Sequence, residues 1–208
     1  MASIENVPSA FVTGNRIPFQ YFLSKGHGQS DAGGGSDPWE ASSYDAALAM
    51  AGVEDFNMMK YSSILPKQAK EISRTAALKR AEFGSVMEGI YASMNGVKGQ
   101  RITAALMITR MHDQKGKIVG SFCTEYMGEG SADDAKQALF EDSQNMIKRR
   151  GYGTVKLAWK KKVKSKDSKR YFTTTHFIVQ SLKVKKKYGS VIAGLFFINY
   201  IYPLTHRI

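Results

Sequence analysis

Val191–Tyr202, VIAGLFFINYIY, is apolar enough to be either a membrane anchor or a core strand. A membrane-spanning helix needs roughly 20 apolar residues, whereas this run is interrupted by Asn199 and stops at Pro203. Its Val, Ile, Phe and Tyr content is that of a short buried strand, and no membrane span is expected. Reading backwards, Tyr171–Val184 and Thr154–Val163 have the same β-branched and aromatic character and predict two further strands. So do Lys117–Tyr126, Arg101–Arg110 and Gly84–Ser93, with NGVKGQ as the turn joining the last two. Phe56–Ile64 and Phe19–Ser24 complete the strands, and the glycines of GHGQSDAGGGSDP, Gly26–Pro38, predict a loop. Two helices interrupt this pattern. One opens at Ser43, carries Ala46, Ala47, Leu48, Met50 and Ala51, and ends at Gly52 in a left-handed cap. The other opens at Ser131 with Asp134 three residues on, near a capping box. It places Ala135, Ala138, Leu139, Met146 and Ile147 near the helical period, and finishes with Lys148, Arg149, Arg150 and Gly151. The expectation is one sheet-rich α/β domain spanning residues 1–208, with largely antiparallel hairpin connections.

Composition narrows the class. The 208 residues are 43% hydrophobic, 11% aromatic and 23% charged, which supplies a real core and excludes wholesale disorder. Cys123 is the single cysteine, so no internal disulfide forms, and His27, His112, His176 and His206 show no metal-ligand spacing; no metal is expected. MASIENVPSAF at the start lacks the basic, then apolar, pattern of a secretory signal, and a cytoplasmic protein is expected. The net charge of +12 is local. Lys148–Lys187 holds fifteen of the thirty basic residues against Asp167 alone, which leaves the rest of the chain slightly acidic. The densest part, KKKVKSKDSKR from Lys160 to Arg170, lacks the interleaved aromatics that stack bases, so it reads as a solvated hairpin tip and no nucleic-acid partner is expected. A polyanion contact through clustered lysines is the alternative. GxGxxG before a helix, GxxxxGK[ST], HExxH and GxSxG are all absent, so dinucleotide, nucleoside-triphosphate, zincin and α/β-hydrolase chemistry have no motif.

What remains is an ordered constellation: Asp45 in SYDAALAMAG, Asn57 in EDFNMMK, Ser62 and Ser63 in KYSSILP, and Glu125 in SFCTEYMGEG. With FGSVMEGIYA and YGSVIAGLFFINY, these segments resemble the pyruvoyl-dependent arginine decarboxylases over nearly the whole chain. Taken without that context, two serines before Ile-Leu-Pro are only hydroxyls where a strand ends, since Pro66 cannot continue a central ladder.

The resemblance implies an αββα sandwich of mixed, largely antiparallel sheets. It also implies self-cleavage between Ser62 and Ser63 into a β subunit, residues 1–62, and an α subunit, residues 63–208, that stay associated through their core contacts. Ser63 attacks the carbonyl carbon before it, an N-to-O acyl shift and elimination follow, and Ser63 becomes a pyruvoyl cofactor. Its ketone condenses with the substrate amine and it acts as an electron sink, as pyridoxal phosphate does. Glu125 is then the proton donor to the α-carbon, and Asn57 assists processing by donating to the oxyanion at Ser62. Asp45 pairs with the substrate guanidinium, and Leu48 and Ser62 also contact substrate. The implied reaction is decarboxylation of L-arginine to agmatine and CO2, in a trimer or dimer of trimers with sites between protomers. A decarboxylase of another amino acid such as histidine, or an unprocessed basic polyanion-binding protein, are the competing readings. Two features call for explanation. A cationic surface repels a cationic substrate unless Asp31, Asp37, Glu40, Asp45, Glu54 and Asp55 form an acidic mouth. Lys60, beside the serine pair, is expected to point to solvent on the alternate face of its strand.

Overall fold

From Ile102 to Thr109 every residue of β6 (Arg101–His112) is buried, so both faces of that strand must be covered. The computed structural model, which describes residues 15–32 and 41–202, shows by what. Leu106 and Ile108 face one way, into a cluster with Tyr21, Ile90, Leu195 and Phe197. Ala105 and Met107 face the other, against Ala135 and Leu139 of a helix. Strand period alone sorts the two sets of side chains into two different cores.

The elements in chain order are β1 (Ile17–Ser30), α1 (Ala41–Ala51), β2 (Asn57–Lys60), β3 (Ile64–Leu65), β4 (Lys70–Glu71), α2 (Arg74–Leu78), β5 (Val86–Val97), then β6. β7 (Ile118–Glu129), α3 (Ala132–Arg149), β8 (Lys162–Lys164), β9 (Tyr171–Lys183) and β10 (Tyr188–Ile201) follow. They form two five-stranded sheets, β2-β5-β10-β1-β4 and β3-β7-β6-β9-β8. In the first, β2 runs parallel to β5 and β4 parallel to β1, and the other neighbours are antiparallel; the second is antiparallel throughout. α1 packs on the outer face of the first sheet over Phe22, Ile192 and Phe196, and α3 on the outer face of the second. This is the αββα sandwich, and among the described residues no helix is long and apolar enough to cross a membrane.

Several local readings hold. Gly52 ends α1 with φ +74°, and Ser131 and Asp134 close a full capping box on α3. The 98–99 turn joins β5 to β6, with Gly99 at φ +93°. Lys162, Lys164, Lys166 and Lys169 are exposed on the β8–β9 hairpin.

Other expectations are corrected. β1 does not stop at Ser24 but runs on through Gly26, His27 and Gly28 to Ser30, pairing with β10 over its whole length. The glycines are there because α1 lies directly on the strand: a Cβ at Gly26 would stand 2.0 Å from the Ala47 carbonyl oxygen, and one at Gly28 2.2 Å from that of Ser43. Gly33–Pro38, the rest of the expected loop, lies outside the described residues. Ser43 is not the cap of α1, which begins at Ala41; its hydroxyl is buried 2.8 Å from that of Ser190 on β10. Thr154–Val163 is not a strand, because only Trp159 bridges to Thr174 before β8 starts at Lys162. The expected strand Phe56–Ile64 is two short strands in different sheets.

Candidate active site

The break in that strand builds the site. Along β2, Met58 and Lys60 share a face, and Met58 packs into the cluster beneath α1. Tyr61 makes the last ladder contact of this edge, its N–H donating to the Gly89 oxygen at 2.7 Å. The chain then leaves the first sheet and enters the second at Ile64, opposite Phe122 of β7. Ser62 and Ser63 are the crossing. Two backbone hydrogen bonds hold it: Ile64 N–H donates to the Ser62 oxygen at 2.9 Å, a tight turn about Ser63, and Cys123 N–H donates to the Ser63 oxygen at 2.9 Å. Pro66 ends β3 after two residues, as a residue without an N–H should.

Because Ser63 docks beside Cys123, the side chain two residues further along β7 falls next to it. That side chain is Glu125. Ser63, Thr124 and Glu125 line a cleft of about 320 Å³ whose far wall is α3, through Asp142, Met146 and Arg149. The wall is tied down from inside by buried Thr124 and Ser143, whose hydroxyl oxygens are 2.9 Å apart. Lys60 does not point to free solvent. Its Nζ lies 2.6 Å from Glu125 Oε2 and 5.9 Å from the Tyr91 ring centre. Burial raises the Tyr91 hydroxyl above its ordinary pKa, and Tyr44 and Glu125 push the same way. Burial also raises the Cys123 thiol, which fills core behind the site and is no nucleophile there.

A second carboxylate flanks the crossing. Glu88 on β5 is 3% exposed and ion-paired with Arg16, whose Nη2 also donates to the Tyr61 hydroxyl at 3.4 Å. Burial raises the Tyr61 hydroxyl, and Glu88 adds to this. Each side of the Tyr61–Ser63 crossing therefore carries one acid matched by one base, which removes the penalty of an unpaired buried charge.

The structure brings Ser62, Ser63 and Glu125 together. Asn57 is at the far end of β2, five extended residues or roughly 15 Å from Ser62, with its Nδ2 donating to the Gly84 oxygen at 2.7 Å. At the Ser62 oxygen the donor is Ile64 N–H instead. Asp45 is exposed on α1, and Leu48 lies in the cluster below that helix; neither lines the Ser63 cleft of its own chain. Of the expected acidic mouth, Asp37 and Glu40 lie outside the described residues, and Asp31 is turned toward Lys186 and the Lys187 N–H. The sequence reading missed Glu88, Arg16 and the α3 wall. A lone acid within VMEGIY was the available signal for Glu88, and the i, i+4, i+7 spacing of Asp142, Met146 and Arg149 the signal for the wall.

Comparison with known proteins places the chain among relatives. Over 200 residues, 90% of this chain and 94% of the relative, the sequence is 28% identical to "Pyruvoyl-dependent arginine decarboxylase AaxB" of Chlamydia abortus. It is 31% identical over 119 residues to the protein of the same name from Chlamydia pneumoniae, covering 55% of this chain and 61% of that one. It is 28% identical over 89 residues to the "Pyruvoyl-dependent arginine decarboxylase" of Thermoplasma volcanium, 43% of this chain and 45% of that one. The profile of the pyruvoyl-dependent arginine decarboxylases matches residues 20–202, which takes in both sheets, the Ser62–Ser63 crossing and Glu125, and the chain belongs to that family.

Proposed function

We propose that this protein cuts itself between Ser62 and Ser63 and then decarboxylates L-arginine to agmatine and CO2. The observation that carries the reading is the shared cleft: Ser63 and Glu125 face each other where the chain crosses between sheets, in a member of a family named for this activity.

The residues at the crossing fit the formation of a pyruvoyl group. Ser63 Oγ attacks the Ser62 carbonyl carbon. The C–O bond to Ser63 forms as the peptide C–N bond breaks, and charge gathers on the Ser62 oxygen, where Ile64 N–H already donates. Elimination of the ester removes the Ser63 α-proton, releases the Ser62 carboxylate and leaves dehydroalanine, which water converts to the ketone with loss of ammonia. Cys123 N–H fixes the next peptide, so Ser63 reacts from a held position. Asn57 contributes by anchoring the start of β2 through Gly84. Once formed, the pyruvoyl group supplies an electron sink for the bond pair left behind by CO2. Glu125, held in the same cleft, returns a proton to the α-carbon. Asp45, exposed and outside its own cleft, pairs with the guanidinium in the cleft of an adjacent protomer of a trimer or a pair of stacked trimers. The setting is cytoplasmic.

Intact mass spectrometry of the purified protein tests the reading. Two chains meeting at Ser62 and Ser63 are expected, the larger with a ketone in place of its amine, together with agmatine formed from arginine. Ser63→Ala should remain one chain. An uncut wild-type chain after prolonged incubation overturns self-processing, and turnover of histidine in preference to arginine overturns the substrate.

A further inference from the structure

Decarboxylation consumes a proton at every turnover: the α-carboxylate leaves as CO2, its bond electrons stay behind, and a proton takes its place. If Glu125 gives that proton, as the reading above has it, Glu125 must be recharged before the next cycle. Its side chain is only 13% exposed. Lys60 is 42% exposed and holds its Nζ 2.6 Å from Glu125 Oε2, so one side chain touches both solvent and the nearly buried acid. The other charged or titratable groups around the pair are Tyr91 on β5, whose hydroxyl is raised by burial and by Tyr44 and Glu125, and Asp142 and Arg149 on α3. Among these, Lys60 is the group within hydrogen-bonding distance of Glu125.

We propose that Lys60 is the positioning residue for Glu125 and the route by which solvent protons reach it. An N–H bond of the Lys60 ammonium breaks as the O–H bond of Glu125 forms. The neutral amine then takes a proton from water, and one solvent proton enters for each CO2 released. A cleft closed over substrate favours the transfer, because two neutral partners replace an ion pair that loses its hydration. Arginine in place of Lys60 keeps the pair but does not release a proton.

The test compares Lys60→Met and Lys60→Arg with wild type. Both variants should still yield two chains by mass. Recharging follows CO2 release, so kcat should fall on the order of 10²-fold while kcat/KM stays within about threefold, and Lys60→Arg should not rescue kcat. Should Lys60→Met fail to cleave, Lys60→Arg, which keeps the charge, gives the same comparison. Restoration of kcat by arginine, or an equal fall in kcat and kcat/KM, overturns the proposal. A readout independent of turnover uses the Ser63→Ala chain labelled with 15N at lysine Nζ. One ammonium signal should shift when Glu125→Gln is added, and absence of such a shift overturns the pair. A wild-type protein that stays uncut or inactive instead sinks the proposed function, an outcome distinct from either.

Discussion

Gly26→Ala should be among the most damaging single-methyl additions in the molecule. The new Cβ would stand 2.0 Å from the Ala47 carbonyl oxygen and 2.8 Å from the Ala51 nitrogen, both atoms of the α1 backbone. A backbone atom cannot rotate away as a side chain can, so the whole helix must lift by about 1.5 Å to reach an ordinary contact, loosening Ala47, Leu48 and Ala51 from Phe22 and Phe196. Overpacking typically costs about 1–3 kcal/mol, and the rigid neighbour places this case at the top, about 3 kcal/mol. For a chain of this length that lowers Tm by about 6–12 °C. The control is Gly120→Ala, where the nearest atom is the flexible Met111 Cε at 3.8 Å and φ is not positive. It should be neutral or stabilising by about 0.5 kcal/mol. Urea unfolding and scanning calorimetry, run on both variants at one protein concentration, give the answer. A Gly26→Ala loss below about 0.5 kcal/mol would show that α1 floats on the strand and would refute the packing argument.

Co-expressing Asp45→Asn and Glu125→Gln chains, so that they assemble together before any cut, should restore about one quarter of wild-type activity if each site joins two protomers, since random assembly pairs intact Asp45 with intact Glu125 in that share of sites. Activity no higher than the inactive parents would place both residues in one chain. Asp134 should add acid sensitivity to α3. Its hydrogen bonds from the Ser131 backbone and side chain hold its carboxyl below the ordinary 3.8, so its stabilisation is complete above that value and fades as pH falls through the lowered one. Asp134→Asn should therefore flatten the melting curve against pH below about 4, and an unchanged slope would remove the cap from the account. Cys123, fully buried with its thiol pushed upward by burial, should resist iodoacetamide at pH 8 in the native protein and react in urea. Rapid native labelling would mean that the core between the sheets opens.

What was legible in the sequence was whatever a single strand or helix decides for itself. The run at Val191–Tyr202 had only one short-range solution, and the capping box at Ser131 announced α3 to the residue. Gly26 and Gly28 misled because glycine marks both a loop and a place where something else comes too close, and only the position of α1 separates the two. The serine pair was legible as a strand end; that the end is a passage from one sheet to the other depends on β7 waiting at Cys123, a contact across about sixty residues. Lys60 defied reading for a related reason. On an isolated strand it points outward, but an edge strand has no neighbour beyond it, and Glu125 reaches in from the other sheet. β4 and α2 are too short, at two and five residues, for any periodic signal to build up.

The order of strands in the first sheet has a kinetic meaning. β1 lies between β10 and β4, and β2 lies against β5, so each strand before Ser62 is paired only with strands after Ser63. Among the described residues, the stretch before Ser63 has no sheet of its own to fall back on. The intact chain finds this arrangement as a first-order process, with β1 tethered to its future neighbours. If the bond is cut as proposed, the same arrangement can be regained only by collision of two separate molecules. Under the proposed processing, folding has to be finished before cutting begins and the cut would work as a ratchet: a processed protein that unfolds in dilute solution should not come back, whereas an uncut Ser63→Ala chain should.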